Sequence, residues 1–310
     1  MLFDHSCIIN HTILLNIGAA ESSNIVAGGY GLGNDRKKLC FPYGVVVDDD
    51  QTMIIADWGN HRIVQWKMGE NNGQVIAGGH GQGNQRNQLN CPTDLLIDKQ
   101  NNSLIICDRG NNRVVRWSRN QGTTEGEILR ENIACWGLAM DNQRFLYISD
   151  TKNNEVKRYS LQQIREDTGT RVAGSGGRGF RFSQLNMPTY IFVDQQQTVY
   201  VSDAWNHRVM KWVKDVKEGT VVFRGSPRGI FVDVAENVYV ADYGNHQLVR
   251  WPKDCKKAED SSRIAGGNGK GEQEDHLYYP WGLSCHQQTQ FFVADHLKHR
   301  VQRFRLEQAN

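Results

Sequence analysis

Residues 57–66 read Asp-Trp-Gly-Asn-His-Arg-Ile-Val-Gln-Trp, and the same ten-residue pattern returns five more times. The copies are Asp108–Trp117, Asp150–Tyr159, Asp203–Trp212, Asp242–Trp251 and Asp295–Phe304, and their leading aspartates are 51, 42, 53, 39 and 53 residues apart. Self-similarity at this period marks a repeat architecture. Around each copy stand four short apolar runs bounded by turn residues, the signal of β-strands. Strand a is the Gly-Val-Val-Val-Asp type (Gly44–Asp48, Gly137–Asp141, Gly229–Asp233) and strand b ends on the aspartate (Met53–Asp57, Val199–Asp203, Val238–Asp242). Strand c carries the Arg and the aromatic (Arg62–Trp66, Arg208–Trp212), and strand d reads Gln74–Ala77 or Arg171–Ala173. Four antiparallel strands in each of six units predict an all-β, six-bladed β-propeller of four-stranded blades.

The termini predict how the ring closes. The sixth unit stops after strand c, and its missing strand d is found at the other end of the sequence as Asn24–Gly29. The N-terminal strand therefore completes the last blade, and closure removes the loose edge. This gives one domain over residues 22–306, preceded by a poorly ordered lead-in over residues 1–21. Four connections from strand d to the next strand a match in length, from Ala27 to Pro42, Ala77 to Pro92, Ala173 to Pro188 and Ala265 to Pro280. Two are cut short, near Leu129–Trp136 and Phe223–Arg228. Either the shortening is natural or it marks an error in the gene model, and if natural the ring still closes with six blades.

The repeat text, with Asn60-His61, Asn206-His207 and Asn245-His246 inside it, resembles the NHL repeat, whose members form six-bladed propellers. Units two and three depart from it with Asn-Asn, and unit six with Lys298-His299. Some propellers of this family in tripartite-motif proteins bind single-stranded RNA, and others act beside ubiquitin-ligase modules. The resemblance implies those roles as alternatives; the cysteine spacing of a RING or B-box is not in this sequence.

Composition excludes little. A net charge of +2 argues for no polyanionic partner in bulk, and no run of 18 apolar residues predicts a membrane helix. The stretch from Met1 to Ala20 holds no Lys or Arg and is broken by Asp4, His5 and His11, unlike a signal peptide. That leans the compartment toward the cytoplasm, with a secreted or ectodomain fragment as the alternative. Seven scattered cysteines show no Cys-x-x-Cys pair, and Cys107 and Cys285 read as small buried residues inside strands.

The repeated Asp, Asn, His and Arg invite a reading as metal or acid–base groups. The same residues at the same place in every blade are better explained as turn and cross-strand hydrogen bonds. Gly28-Gly29-Tyr30-Gly31-Leu32-Gly33 looks like a phosphate loop but opens no helix, so its glycines read as turns with positive φ. His276, His286, His296 and His299 are split between the two faces and cannot share a metal. Peptide-amidating lyases resemble this architecture and bind zinc through His residues, some just before strand a, and lactonase-like enzymes place acidic and Asn calcium ligands around the central channel. Those mouth positions here hold Tyr43, Thr93, Trp136, Thr189, Arg228 and Trp281. No His or Glu is among them, Asp94 is the nearest acid, and no Gly-x-Ser-x-Gly elbow occurs. A non-enzyme without cofactor or metal is expected, with a diverged metal-dependent lyase or lactonase as the third alternative.

Strand direction puts the d-to-a connections and b-to-c turns on one face, called the top. The turns there carry Trp58, Arg109, Lys152, Trp205, Tyr243 and His296, and the mouth adds Tyr43, Trp136, Arg228 and Trp281. The long connections add Arg36, Lys37, Lys38, Arg86, Arg178 and Arg181, whereas that of unit six is acidic with Glu272, Glu274 and Asp275. Aromatics with arginine are the composition of binding hot spots and also suit stacking on unpaired bases beside phosphate contacts. The expected function is a monomeric binding platform for a protein or peptide through Tyr43, Trp58, Arg109, Trp136, Trp205, Arg228, Tyr243 and Trp281. Arg36, Lys37, Lys38, Arg86, Arg178 and Arg181 are the expected contacts for an anionic ligand, and single-stranded RNA on the same face is the alternative.

Overall fold

Six four-stranded antiparallel sheets surround a common axis in the computed structural model, which describes residues 20, 22–253, 255, 260–267 and 276–306. The acidic residues Glu272, Glu274 and Asp275 and the lead-in 1–19 lie outside the described residues. In blade 1 the strands are Pro42–Val47, Met53–Asp57, Arg62–Trp66 and Gln74–Gly78, paired in sequence order. Strand a thus begins two residues before the glycine that the sequence pattern suggests, because Pro42 pairs with Asp57 across a bulge. In blade 2 strand a starts only at Leu95. The last blade is assembled from both ends of the sequence: Ser22–Gly28 pairs with Arg300–Arg305, from Ser22 opposite Arg305 to Gly28 opposite Arg300.

The core lies between blades. Val45, Met53, Val64 and Trp66 of blade 1 pack with Phe292, Ala294 and Val301 of blade 6, and Tyr200, Val209 and Phe223 of blade 4 with Ile230, Val238 and Val240 of blade 5. Each sheet has apolar side chains on both faces, so each blade is stable only against its neighbours.

The repeated polar residues are the fasteners of this ring. Asp57 is fully buried, and its carboxylate accepts from Cys40 N at 2.6 Å, Asn60 Nδ2 at 2.8 Å and Arg62 Nε at 2.7 Å. The Arg62 guanidinium then donates to the carbonyls of Asn34, Asp35 and Lys38 in the long connection that enters the blade. Arg113 does the same to Asn84, Gln85 and Gln88, and Arg208 to Phe180, Arg181 and Gln184. His61, at φ 53, closes the b-to-c turn in the left-handed region that His and Asn tolerate. Its Nδ1 accepts the Cys91 N–H of the following connection at 3.1 Å, and His246 and His299 do so for Tyr279 and Phe41.

The two short connections fit this scheme. The blades that they enter are the ones in which the arginine is replaced, by Glu155 in blade 3 and Gln247 in blade 5. With no long connection there are no carbonyls for a guanidinium to bind, and a buried cation without acceptors is costly. Strand d compensates in blade 3: Arg171, at the ladder position where blade 1 has Val75, pairs with Glu155. Shortening and substitution occur together twice, which is what natural shortening requires. The ring closes with six blades.

One expectation about cysteine is corrected. Cys107 is not a free buried residue; it forms a disulfide with Cys135, joining strand b of blade 2 to the start of strand a of blade 3 with Cα atoms 5.6 Å apart. The short connection draws the two strands' ends together at that point.

Candidate functional site

The strands nearest the axis crowd each other. Four blades carry glycine after the mouth position (Gly44, Gly137, Gly229, Gly282), and a Cβ at Gly137 would stand 2.5 Å from the Thr189 carbonyl oxygen. Blades 2 and 4 carry Asp94 and Tyr190 at that position instead, and these side chains fill the axis. The Tyr190 hydroxyl donates across the ring to the Thr93 carbonyl at 3.3 Å. Asp94 is buried, and its Oδ2 accepts the Leu138 N–H at 2.9 Å.

Burial without a cation pushes the Asp94 carboxyl up to about 7. Because the folded state holds this proton more tightly than the unfolded polypeptide, the stability it contributes is whole below about pH 4 and is lost as pH rises toward 7. Asp94→Asn should therefore be more stable than the wild type at pH 8, by on the order of 4 kcal/mol, with the difference shrinking as pH falls toward 4. Urea unfolding at both pH values checks this; a difference independent of pH contradicts it.

Above this plug the mouth residues form one cation–aromatic cluster. The Tyr43 ring lies 4.3 Å from Trp281, 5.4 Å from Trp58, 5.8 Å from Trp136 and 4.9 Å from His296. Trp136 stacks on Trp281 at 5.6 Å, and the Arg228 guanidinium lies 4.7 Å from both the Trp281 and Tyr243 rings. Arg109 sits 5.9 Å over Trp136. Such pairs add to the stability of the cluster beyond their buried area. Tyr43 and Trp281, expected to contact a partner, are 9% and 7% exposed, because the six inner strands converge and their side chains meet. Trp58, Arg109, Trp136, Arg228 and Tyr243 are half-buried at its rim. Burial lowers the basicity of His296, to about 4, so at neutral pH it belongs to the cluster as an uncharged ring.

A second zone lies on blade 4. Trp205, in the b-to-c turn, is 57% exposed, and the Arg178 guanidinium covers its ring at 5.5 Å. Beside Arg178 and Arg181 in the same connection, Phe180 is 78% and Phe182 54% exposed. Their backbone is pinned: the Phe180 carbonyl accepts from Arg208 and that of Phe182 from Gly219. The two phenylalanines were missed in the sequence because the blade pattern draws attention to the turns and the mouth; the run Arg178-Gly-Phe-Arg-Phe182 is their signal. The remaining basic residues sit apart, Arg36 and Lys37 exposed on the first connection, Lys38 paired with Asp35 at 3.1 Å, and Arg86 3.9 Å from Glu125.

A cavity of about 850 Å³ opens where the connection into blade 3 is cut short, lined by Glu131, Asp150, Asn153, Lys157, Tyr159 and Arg165 among others. Its charges are largely spent internally, Arg165 on Glu127 at 2.7 Å and Arg130 on the Ile164 and Asp167 carbonyls. Among the described residues, no group of three or more His, Cys, Asp or Glu is arranged to hold a metal ion.

Residues 39–66 and 89–117 match the NHL repeat. No curated protein matches the sequence. An auxiliary nutrient binding protein from Bacteroides thetaiotaomicron shares 14% identity over 92% of this chain and 76% of its own, at a TM-score of 0.69. A gluconolactonase from Xanthomonas campestris shares 13% over 94% and 97%, at 0.63, and virginiamycin B lyase from Staphylococcus aureus 12% over 92% and 99%, at 0.57. Likeness at such identity is one of fold, and this fold serves binding and catalysis alike.

Proposed function

We propose that this protein, an NHL-repeat six-bladed propeller, is a non-enzymatic, monomeric platform that recognises a protein or peptide on its top face. The observation that carries this reading is the exposed patch of Phe180, Phe182 and Trp205 with Arg178, held on a pinned backbone. Aromatics and arginine on a rigid support lose little entropy on binding and are the residues that dominate interface energetics. The cation–aromatic cluster at the mouth extends the surface toward the axis. A lyase or lactonase reading needs convergent acid–base or metal-ligating groups at the mouth; the groups there are aromatic rings, guanidinium ions, the uncharged His296 and, beneath them, the lone carboxyl of Asp94, and among the described residues no three ligating groups come together. Single-stranded RNA is the alternative supported by Arg36, Lys37, Arg178 and Arg181, all exposed.

The test is affinity capture from the source tissue with and without RNase. The variants Phe180→Ala and Trp205→Ala suit it because both side chains are solvent-exposed and their loss leaves the fold intact. A protein partner retained after RNase and lost from the double variant supports the platform; recovery that collapses with RNase replaces it with RNA binding. A partner indifferent to both variants removes the blade-4 patch from consideration.

A further inference from the structure

The mouth is rich in donors and poor in acceptors. Nε1 of Trp136 and Trp281 and Nε of Arg109 and Arg228 are shielded from solvent and have no hydrogen-bond partner within the protein. The hydrogen bond seen for Arg228 is from Nη1 to the adjacent Pro227 carbonyl at 2.8 Å, and that for Arg109 is from Nη1 to Asn112 Oδ1 at 3.3 Å. The carboxylates whose charge reaches these cations are Asp242 and Asp150. Both are already engaged, Asp242 with Ser226 N, Asn245 and Gln247, and Asp150 with Lys152 N and Asn153. A buried donor left without an acceptor costs about 1–3 kcal/mol, and a guanidinium prefers a carboxylate above other acceptors.

The way the rings pack says how a ligand is met. Trp136 and Trp281 stack on each other, Arg109 lies over Trp136, and Arg228 lies over Trp281. The ring faces are thereby taken up within the cluster, so an unpaired base has little face to stack on, while the two guanidinium groups have one neutral acceptor each and their Nε atoms have none. This favours a small acceptor over a nucleobase.

We propose that the mouth takes a carboxylate from the partner, either that of an Asp or Glu residue or the free carboxylate at a peptide's C-terminus, held by the guanidinium groups of Arg228 and Arg109 at the half-buried rim. The inference rests on the platform reading and names the chemistry of what that platform recognises.

The experiment titrates the whole protein at low ionic strength and follows tryptophan emission. Four N-acetylated peptides serve as probes: acetyl-hexaglutamate amide, acetyl-hexaglycine with a free C-terminus, acetyl-hexaglutamine amide and acetyl-hexalysine amide; hexauridylate is the RNA probe. A saturable change is expected with the first peptide if side chains are read, or with the second if a C-terminus is read, and none with the glutamine and lysine peptides. Arg228→Gln should weaken binding about tenfold or more, as loss of a charge-assisted hydrogen bond does. Arg109→Gln, at the half-buried rim, should also weaken it and stands in where Arg228→Gln fails to fold. Lys214→Gln on the bottom face should change nothing. The proposal is overturned if neither carboxylate peptide gives a saturable change, if hexaglutamine binds equally, or if hexauridylate alone binds in an Arg228-dependent way. Should a protein partner be captured through Trp205 while both carboxylate peptides fail, this inference falls and the platform reading stands; if capture fails as well, the platform reading falls too.

Discussion

Asp57→Ala is expected to cost about 3–5 kcal/mol of folding free energy, the usual loss when one partner of a buried ion pair is removed. Asp57 is fully buried and Arg62 is 8% exposed. The carboxylate neutralises a guanidinium that in turn fixes three carbonyls of the first long connection. Alanine leaves that cation uncompensated in the ring, orphans the Cys40 N–H and leaves Asn60 Nδ2 with only its bond to the Gly33 carbonyl. Asp242→Ala in blade 5 is the internal comparison, because there the pair is with neutral Gln247 at 3.2 Å. It removes hydrogen bonds and a carboxylate that reaches Arg228 only through its charge, but no hydrogen-bonded ion-pair partner, so it should cost less. Urea unfolding of both variants at pH 7 gives the ranking; a loss under about 1 kcal/mol for Asp57→Ala contradicts the fastener role.

Deleting residues 1–28 should be more damaging still, on the order of 5 kcal/mol or more, a large share of the 5–15 kcal/mol that holds a typical domain. The deletion removes the seven-residue strand Ser22–Gly28, its ladder to Arg300–Arg305 and the buried Ala27. It turns strand c of blade 6 into a bare edge beside Val301 and Phe304, which invites pairing between molecules. The expected result is a lower, broadened thermal transition with concentration-dependent scattering, reversed by adding a peptide of residues 20–41. An unchanged transition would mean that the ring does not depend on this closure.

The six Asp-led repeats carry the blade plan in the sequence, and the missing last strand is visible at the opposite terminus. The tie between connection length and the arginine of strand c was also written there, since Glu155 and Gln247 follow the two short connections, but its meaning needs the carbonyls that Arg62, Arg113 and Arg208 bind. Burial of Tyr43 and Trp281 could not be read from a pattern of turns, because it arises where six strands converge on an axis and side chains from different blades meet. The Cys107–Cys135 disulfide has the same origin, two strand ends from different blades with no spacing signature. Phe180 and Phe182 stand inside a connection whose backbone is pinned by Arg208 and Gly219, so their exposure follows from partners elsewhere in the sequence.

The most direct test of the top face as a recognition surface is site-specific photo-crosslinking in the source extract after RNase. A benzophenone amino acid replaces Trp205 on the top face in one protein and Gln143, in the a-to-b turn of the opposite face, in another. A discrete protein adduct from position 205 and none from position 143 is the result predicted. Adducts from position 143 alone, or none from position 205 at any extract concentration, would contradict it.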